Sequence, residues 1–376
     1  MRKDRKRILS PYRVFPLFPL ALFLSQPLFA IPPELRVVGN QVETVNGGCT
    51  VRLRGVDIAG MEWSKTGPEF PPQGIYTSVQ AATYLWKANI VRIPLSQDFW
   101  MGYGGADKVD YRARVDRIVQ IASYYNAYVD LDLHWSGDGN WGSTAKAKQQ
   151  SMPDDHSLLF WQDLAAHFKN NPAVLFGLYN EPKDVSWDVW RDGGDSGAGF
   201  HTPGLQMLLK AVRSTGANNV VVVGGLDWAY DLTGLVNDSC GGGAQPCALT
   251  DTPGGHGIIY DAHVYPFKTS PNDWQPSDGD QKVTPAADKY AVIIGEFGNA
   301  KKDGGYWIRK TLKWIDEHHY HAMAWDWTNS DPALTLDANF TPNVWEGVPV
   351  KEWLSHPVPP ACPPGPASPA SRPPGT

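Results

Sequence analysis

A (β/α)8 TIM barrel, an α/β fold entered through a small N-terminal β-hairpin, is what this 376-residue sequence predicts. Three observations carry the prediction. Eight apolar, β-branched runs recur along the chain, at 51–59, 90–95, 128–134, 174–179, 220–224, 258–264, 291–295 and 322–327. Several are apolar nearly throughout, as strands covered on both faces are. Amphipathic stretches separate most of the runs. The first run leads into Gly60-Met61-Glu62-Trp63, where a doubly wound nucleotide-binding sheet would need a glycine-rich turn.

Taken in order, residues 2–7 form a basic cluster, and 14–29 is an apolar run broken by Pro16, Pro19 and Pro27. With the small residue Ala30 after it, the segment 1–30 reads as a secretory signal peptide. An uncleaved anchor is the competing reading, but the run is shorter than the roughly 20 residues a span needs. The chain is therefore expected outside the cell or in a periplasm, with no membrane contact after cleavage. Segments 36–45 and 50–54 flank Asn46-Gly47-Gly48, a hairpin signal. Val115, Ile118, Val119 and Ala122 follow i, i+3, i+4, i+7. So do Trp161, Leu164, Ala165 and Phe168, and again Leu205, Leu208, Leu209 and Val212, while Ile308, Leu312 and Ile315 give a shorter version. Each stripe fits a helix packed on a sheet. Three long connections, 183–203, 233–257 and 268–288, follow strands and should rise from the C-terminal rim of the barrel. The barrel domain is expected to span 31–356, with 357–376 an extended or disordered proline-rich tail.

Composition narrows the function. The net charge is −6, and removing residues 1–30 would take away six bases and one acid, so the remainder is more acidic still. A nucleic-acid partner is excluded on that balance. Four cysteines fit an oxidising compartment. Cys240 and Cys247 flank a short flexible loop, which would leave Cys49 to pair with Cys362, but spacing alone leaves all three connectivities open. The 16 Trp exceed what a core normally needs. Trp63, Trp135, Trp141, Trp228 and Trp274 are candidates for sugar-stacking platforms at the rim. Nothing points to an oligomer, and a monomer is expected.

Chemistry in such a barrel belongs at the carboxyl ends of the strands. The fourth run ends Leu178-Tyr179-Asn180-Glu181-Pro182 and the seventh Ile294-Gly295-Glu296-Phe297-Gly298. Two carboxylates facing each other across a barrel mouth divide the work of glycoside hydrolysis, one protonating the leaving oxygen and the other attacking or activating water. Arg92, inside the apolar Val91-Arg92-Ile93-Pro94, needs a buried carboxylate and is expected to hold one of the two Glu residues ionised. His134 ends the third strand. His263 and Tyr265 share one face of the sixth by their i, i+2 spacing, and Trp325 and Trp327 share that spacing on the eighth.

With these residues in place the chain resembles the cellulase-like glycoside hydrolase family 5 of clan A, from about residue 51 to 353. Asn180-Glu181-Pro182 matches that family's acid/base motif and Gly295-Glu296-Phe297-Gly298 its nucleophile motif. Arg92, His134, Asn180, His263, Tyr265 and a Trp, Trp327 before Trp325, match the remaining positions. The resemblance implies a retaining mechanism through a covalent glycosyl-enzyme, with Asn180 on the sugar 2-hydroxyl and Tyr265 near the nucleophile. Many members carry a histidine where Lys183 stands here, a difference bearing on substrate contacts.

Other chemistries fit less well. The first strand reads Val56-Asp57-Ile58, without the H-x-H of metal-dependent barrel hydrolases, and no G-x-S-x-G occurs. His318, His319 and His321 are expected at the barrel floor, not at a metal. The sequence-level expectation is thus a secreted endo-β-1,4-glucanase acting on cellulose or β-glucan, with Glu296 as nucleophile, Glu181 as acid/base and no cofactor or metal. A mannanase or another β-glycanase of the same family is the alternative within that class. From another class, the rival is a non-catalytic polysaccharide-binding protein, which would not require both acids.

Overall fold

The computed structural model describes residues 31–67, 74–137, 148–269, 272–299, 302–327, 332–356 and 358–363. It opens on an antiparallel hairpin, β1 (Leu35–Val38) and β2 (Gln41–Thr44). The barrel strands are β3 (Arg54–Asp57), β4 (Ile90–Ser96), β5 (Tyr128–Trp135) and β6 (Val174–Gly177). A two-residue hairpin, β7 (Gly194–Asp195) with β8 (His201–Thr202), decorates the connection after β6. The barrel resumes with β9 (Val221–Gly224), β10 (Ile258–Val264), β11 (Ala291–Phe297) and β12 (His321–Ala324). These eight close in the order β3-β4-β5-β6-β9-β10-β11-β12, every neighbouring pair parallel. Each apolar run of the sequence overlaps one of them.

The helices lie where the 3.6-residue stripes place them. In Lys108–Tyr124 the buried face includes Val115, Ile118, Val119 and Ala122; in Asp155–Phe168 it includes Trp161, Leu164, Ala165 and Phe168. Leu205–Ser214 and Tyr306–Glu317 bury their stripes in the same way. Start signals are local. The Asp107 carboxylate accepts from the backbone N–H groups of Val109 and Asp110, and Asp154 and Ser157 form a capping box.

The barrel interior is divided. Its lower half is apolar, with Leu53, Ile90, Val222, Ile259, Ile293 and Met323 packed against Leu35 and Val42 of the hairpin, so the hairpin plugs the floor. The upper half holds charge: Asp57, Arg92, Asp130, Asp132 and Asp261 are all buried there. His321 opens β12 at the floor, its Nδ1 accepting from Leu53 N, as the floor position expected for that histidine cluster requires.

Two boundaries differ from the sequence reading. The hairpin turns at Gly39-Asn40, with Gly39 at φ +62°, while Asn46-Gly47-Gly48 makes the next turn and brings Thr50 back beside Glu43. Both segments carry turn residues, and only β1–β2 has the alternation that buries Leu35 and Val42 together. The start of the proline-rich tail also belongs to the fold. Residues 358–363 run back along the chain start, where Thr50 and Ala361 exchange backbone hydrogen bonds beside the Cys49–Cys362 disulfide. A second disulfide joins Cys240 and Cys247. The segments 1–30 and 364–376, and Trp141, lie outside the described residues. Among the described residues no helix is long and apolar enough to cross a membrane.

Candidate active site

Glu296 projects from within β11, and Glu181 stands four residues beyond β6 on a loop pinned at Leu178 N to Val222 O and at Asn180 N to Leu133 O. The two carboxylates meet across the mouth, an oxygen of each lying within 4.8 Å of the other. With His134, Asn180, Tyr265 and Trp325 they line a cavity of about 540 Å³.

Arg92 explains how Glu296 and Asn180 are held. Rising from the middle of β4, its guanidinium donates to Glu296 Oε1 at 2.6 Å, to Asn180 Oδ1 at 2.6 Å and to Asp57 Oδ1 at 3.1 Å, with Asp132 Oδ2 at 3.0 Å. The sequence reading gave Arg92 one carboxylate; the barrel gives it four, the fourth being Asp130 Oδ2 at 4.0 Å from Nε. Because Asn180 Oδ1 is taken by Arg92, the amide nitrogen is the end left to face a ligand. Breaking a buried ion pair from one side leaves uncompensated charge. Arg92→Ala is therefore expected to cost about 3–5 kcal/mol in urea unfolding. A loss under about 1 kcal/mol would contradict this network.

Both histidines are carried on short Asp-x-His units. On β5, His134 Nδ1 lies 2.8 Å from Asp132 Oδ2, and its ring stacks on Trp325 with centroids 5.4 Å apart. Burial opposes the charge on His134, yet the bond to Asp132 raises its pKa above the usual imidazole value. On β10, His263 is fully buried, with Nδ1 3.1 Å from Glu181 Oε1 and 3.4 Å from Glu296 Oε2, and Nε2 3.3 Å from Asp261 Oδ2. Burial would lower it, but the carboxylates of Glu296, Asp261 and Glu181 win and push it up to about 10. The converse holds for Glu181: burial raises it, while the hydrogen bond and charge of His263 bring it down to about 2. The Glu181–His263 pair thus holds one exchangeable proton in common. Tyr265 donates its hydroxyl to Glu296 Oε2 at 2.6 Å; burial and the Glu296 carboxylate push the phenol well above its usual range, so it remains a donor.

One expected site residue is not at the mouth. Trp327 is fully buried, packed edge-on against Trp86 and against Phe340. Trp325 lines the cavity instead. The i, i+2 rule places both on one face only while the strand continues, and β12 ends at Ala324. Of the rim tryptophans, Trp63 (46 % exposed) and Trp228 (39 %) face solvent, and Trp135 lies 6.3 Å from Trp63. Trp274 does not: it is buried against Trp307 and Trp314. Trp228 sits in a turn whose residues Asp227, Trp228 and Ala229 are all left-handed. Lys268 Nζ donates to the carbonyls of Asp227 and Trp228, and Trp228 N to Pro182 O, tying this platform to the Glu181 loop. Lys183 reaches over the same indole, 5.1 Å from its centre.

Glu181, His263 and Glu296 each offer one donor atom close enough to surround a cation. Both ring nitrogens of His263 face carboxylate oxygens, so the imidazole is placed to donate from each nitrogen and not to aim a lone pair at a cation. Asp57, Asp132 and Asp261 were not singled out from sequence, although a carboxylate two residues before each histidine was a period-2 signal that marks Asp132 and Asp261.

Residues 46–331 match the family model Cellulase (glycosyl hydrolase family 5). Among curated relatives, an endoglucanase of Clostridium saccharobutylicum is 24 % identical over 304 residues, covering 79 % of this chain and 57 % of its own. A manganese-dependent endoglucanase of Phanerodontia chrysosporium is 29 % identical over 230 residues, 59 % of this chain and 55 % of its own. The chain thus spans little more than half the length of these relatives. In structure it is similar to a β-glucanase of Saccharophagus degradans solved with cellotetraose, at TM-score 0.67 and 21 % identity, covering 86 % of this chain and 93 % of the other.

Proposed function

The chain belongs to glycosyl hydrolase family 5, and on that premise we propose that it is a secreted, retaining endo-β-1,4-glucanase. The observation that carries the proposal is the Glu181–Glu296 pair, with oxygens within 4.8 Å across the barrel mouth. Retaining enzymes hold their carboxyl groups about 5–5.5 Å apart, whereas inverting enzymes leave about 6.5–9.5 Å for a water.

In the first half-reaction a Glu296 oxygen attacks C1 as the C1–O bond breaks, and the departing oxygen takes a proton at Glu181. The released alcohol vacates the acceptor side. Water then enters, gives a proton back to Glu181 and attacks C1, and the electrons of the ester bond return to Glu296. The network supports each role. Arg92 and Tyr265 leave the Glu296 carboxylate held from both oxygens and aimed, and Asn180 turns its amide N–H groups to the mouth, suited to the sugar 2-hydroxyl. Trp325 in the cavity wall and the exposed Trp228 beside the Glu181 loop offer rings to an extended glucan. Relatives named as endoglucanases and a similar structure holding cellotetraose favour β-glucan as the substrate class. Export is supported by the basic and apolar character of residues 1–30 and by the two disulfides.

A reducing-sugar assay on carboxymethylcellulose, barley β-glucan, mannan and xyloglucan tests the reading. The expected result is turnover highest on carboxymethylcellulose or barley glucan. Preference for mannan would move the substrate assignment, and binding without turnover of any glycan would overturn the enzyme assignment.

A further inference from the structure

We propose that Asp261 is a positioning residue that keeps a second proton on His263, and so supplies the proton that Glu181 delivers to the leaving group. The inference rests on the glycosidase reading and deepens it. It starts from what surrounds the imidazole. Nε2 faces Asp261 Oδ2, and Nδ1 faces Glu181 Oε1 and Glu296 Oε2. Either neutral tautomer would aim a lone pair at a carboxylate, so only the doubly protonated ring satisfies both sides.

Asp261 is itself fixed. Its Oδ1 accepts from the backbone N–H of Gly295 at 2.6 Å, on the neighbouring strand and next to the proposed nucleophile. A Cβ on Gly295 would lie 2.3 Å from that carboxylate, so the glycine leaves the space that Asp261 fills. The parallel register shifts between Asp261 and His263, and His263 Nδ1 lies 3.1 Å from Glu181 Oε1 and 3.4 Å from Glu296 Oε2. Charged groups around the ring come from several strands: Glu181 beyond β6, Glu296 on β11, Asp57 on β3 and Asp261 on β10 itself, with the Arg92 cation from β4 acting on Asp57, Asp261 and Glu296. Lys268 adds its charge to Glu181.

As the C1–O bond breaks, the leaving oxygen gains a proton from the pair, and His263 is left neutral with Glu181 ionised. In the second half-reaction the attacking water returns a proton through Glu181 Oε1 to His263 Nδ1. An ionised Glu181 in the free chain is consistent with general-acid work only because the imidazolium beside it holds this proton.

Asp261→Asn tests the role. The amide oxygen still accepts from Gly295 N–H, but its NH2 now faces Nε2, which must accept, and the ring becomes neutral. Glu181 must then carry the proton alone. The basic limb of kcat against pH is expected to fall by about one unit or more, with KM changed less than about twofold and aryl glycosides bearing good leaving groups little affected. An unmoved basic limb in the folded variant would overturn the proposal. A measurement on the unaltered protein stands beside it: the imidazole nitrogens of His263 should both be protonated by NMR at pH 8. A neutral ring at that pH would overturn the proposal even if the variant failed to fold. Wild-type inactivity on every glycan would instead strike the glycosidase reading on which this rests.

Discussion

Glu296→Gln is expected to lose turnover by at least about 10⁴-fold on every substrate, polysaccharide and activated aryl glycoside alike. In the proposed mechanism both half-reactions run through this carboxylate, so a better leaving group cannot rescue its loss. The amide keeps an oxygen for Arg92 and the space of the original side chain, so the fold should survive. The pair Arg92–Glu296 is buried, however, and its charge balance changes, so thermal unfolding on the same preparation must accompany the assay. A folded Glu296→Gln protein with activity within about tenfold of wild type would remove Glu296 from the nucleophile position.

Glu181→Gln should behave differently, and the difference is diagnostic. Proton delivery typically contributes about 10²–10⁴-fold. On β-glucan, whose leaving alcohol needs that proton, the loss should fall in this range. On dinitrophenyl glycosides the first half-reaction needs no proton, so the loss should be much smaller, and an external nucleophile such as azide should speed the second half. Equal losses on both substrate types would contradict the acid/base role. Because the Glu181–His263 pair shares one proton, the amide can still accept from His263 through its oxygen but can neither take up nor deliver that proton. The pH profile of the variant should lose the limb that the pair produces.

Much of the architecture was legible because burial on two faces writes itself into sequence. Strands such as β5 and β11, sealed between barrel interior and helices, are apolar or carry only residues that the interior pairs, and the helices between them repeat at 3.6. The two Glu residues stood out for the complementary reason: an ionisable group directly after such a run has to serve something. What the sequence hid were choices made by the chain's local geometry. Trp325 and Trp327 are chemically interchangeable on paper, and only the end of β12 at Ala324 decides which reaches the mouth. Trp274 looked like a rim residue because its connection leaves the rim, yet a helix after it, Pro276–Lys282, folds it against Trp314. Asp57 and Asp261 were hidden inside apolar strands, where one charge draws little notice until the opposite charge is found across the barrel. The size of the Arg92 network follows from closure: β3 and β5 flank β4, and β11 comes three strands round by way of β3 and β12, a neighbourhood that no linear spacing reveals.

The central claim is that Glu296 and Glu181 act by double displacement. It is tested most directly by following the anomeric configuration of the first product by proton NMR, in the opening minutes of β-glucan hydrolysis and before mutarotation. Two inversions at C1 return the configuration of the substrate, so the β-anomer should appear first and the α-anomer should grow in only at the rate of spontaneous mutarotation. Initial release of the α-anomer would mean a single displacement by water, and would contradict the assignment of Glu296 as nucleophile.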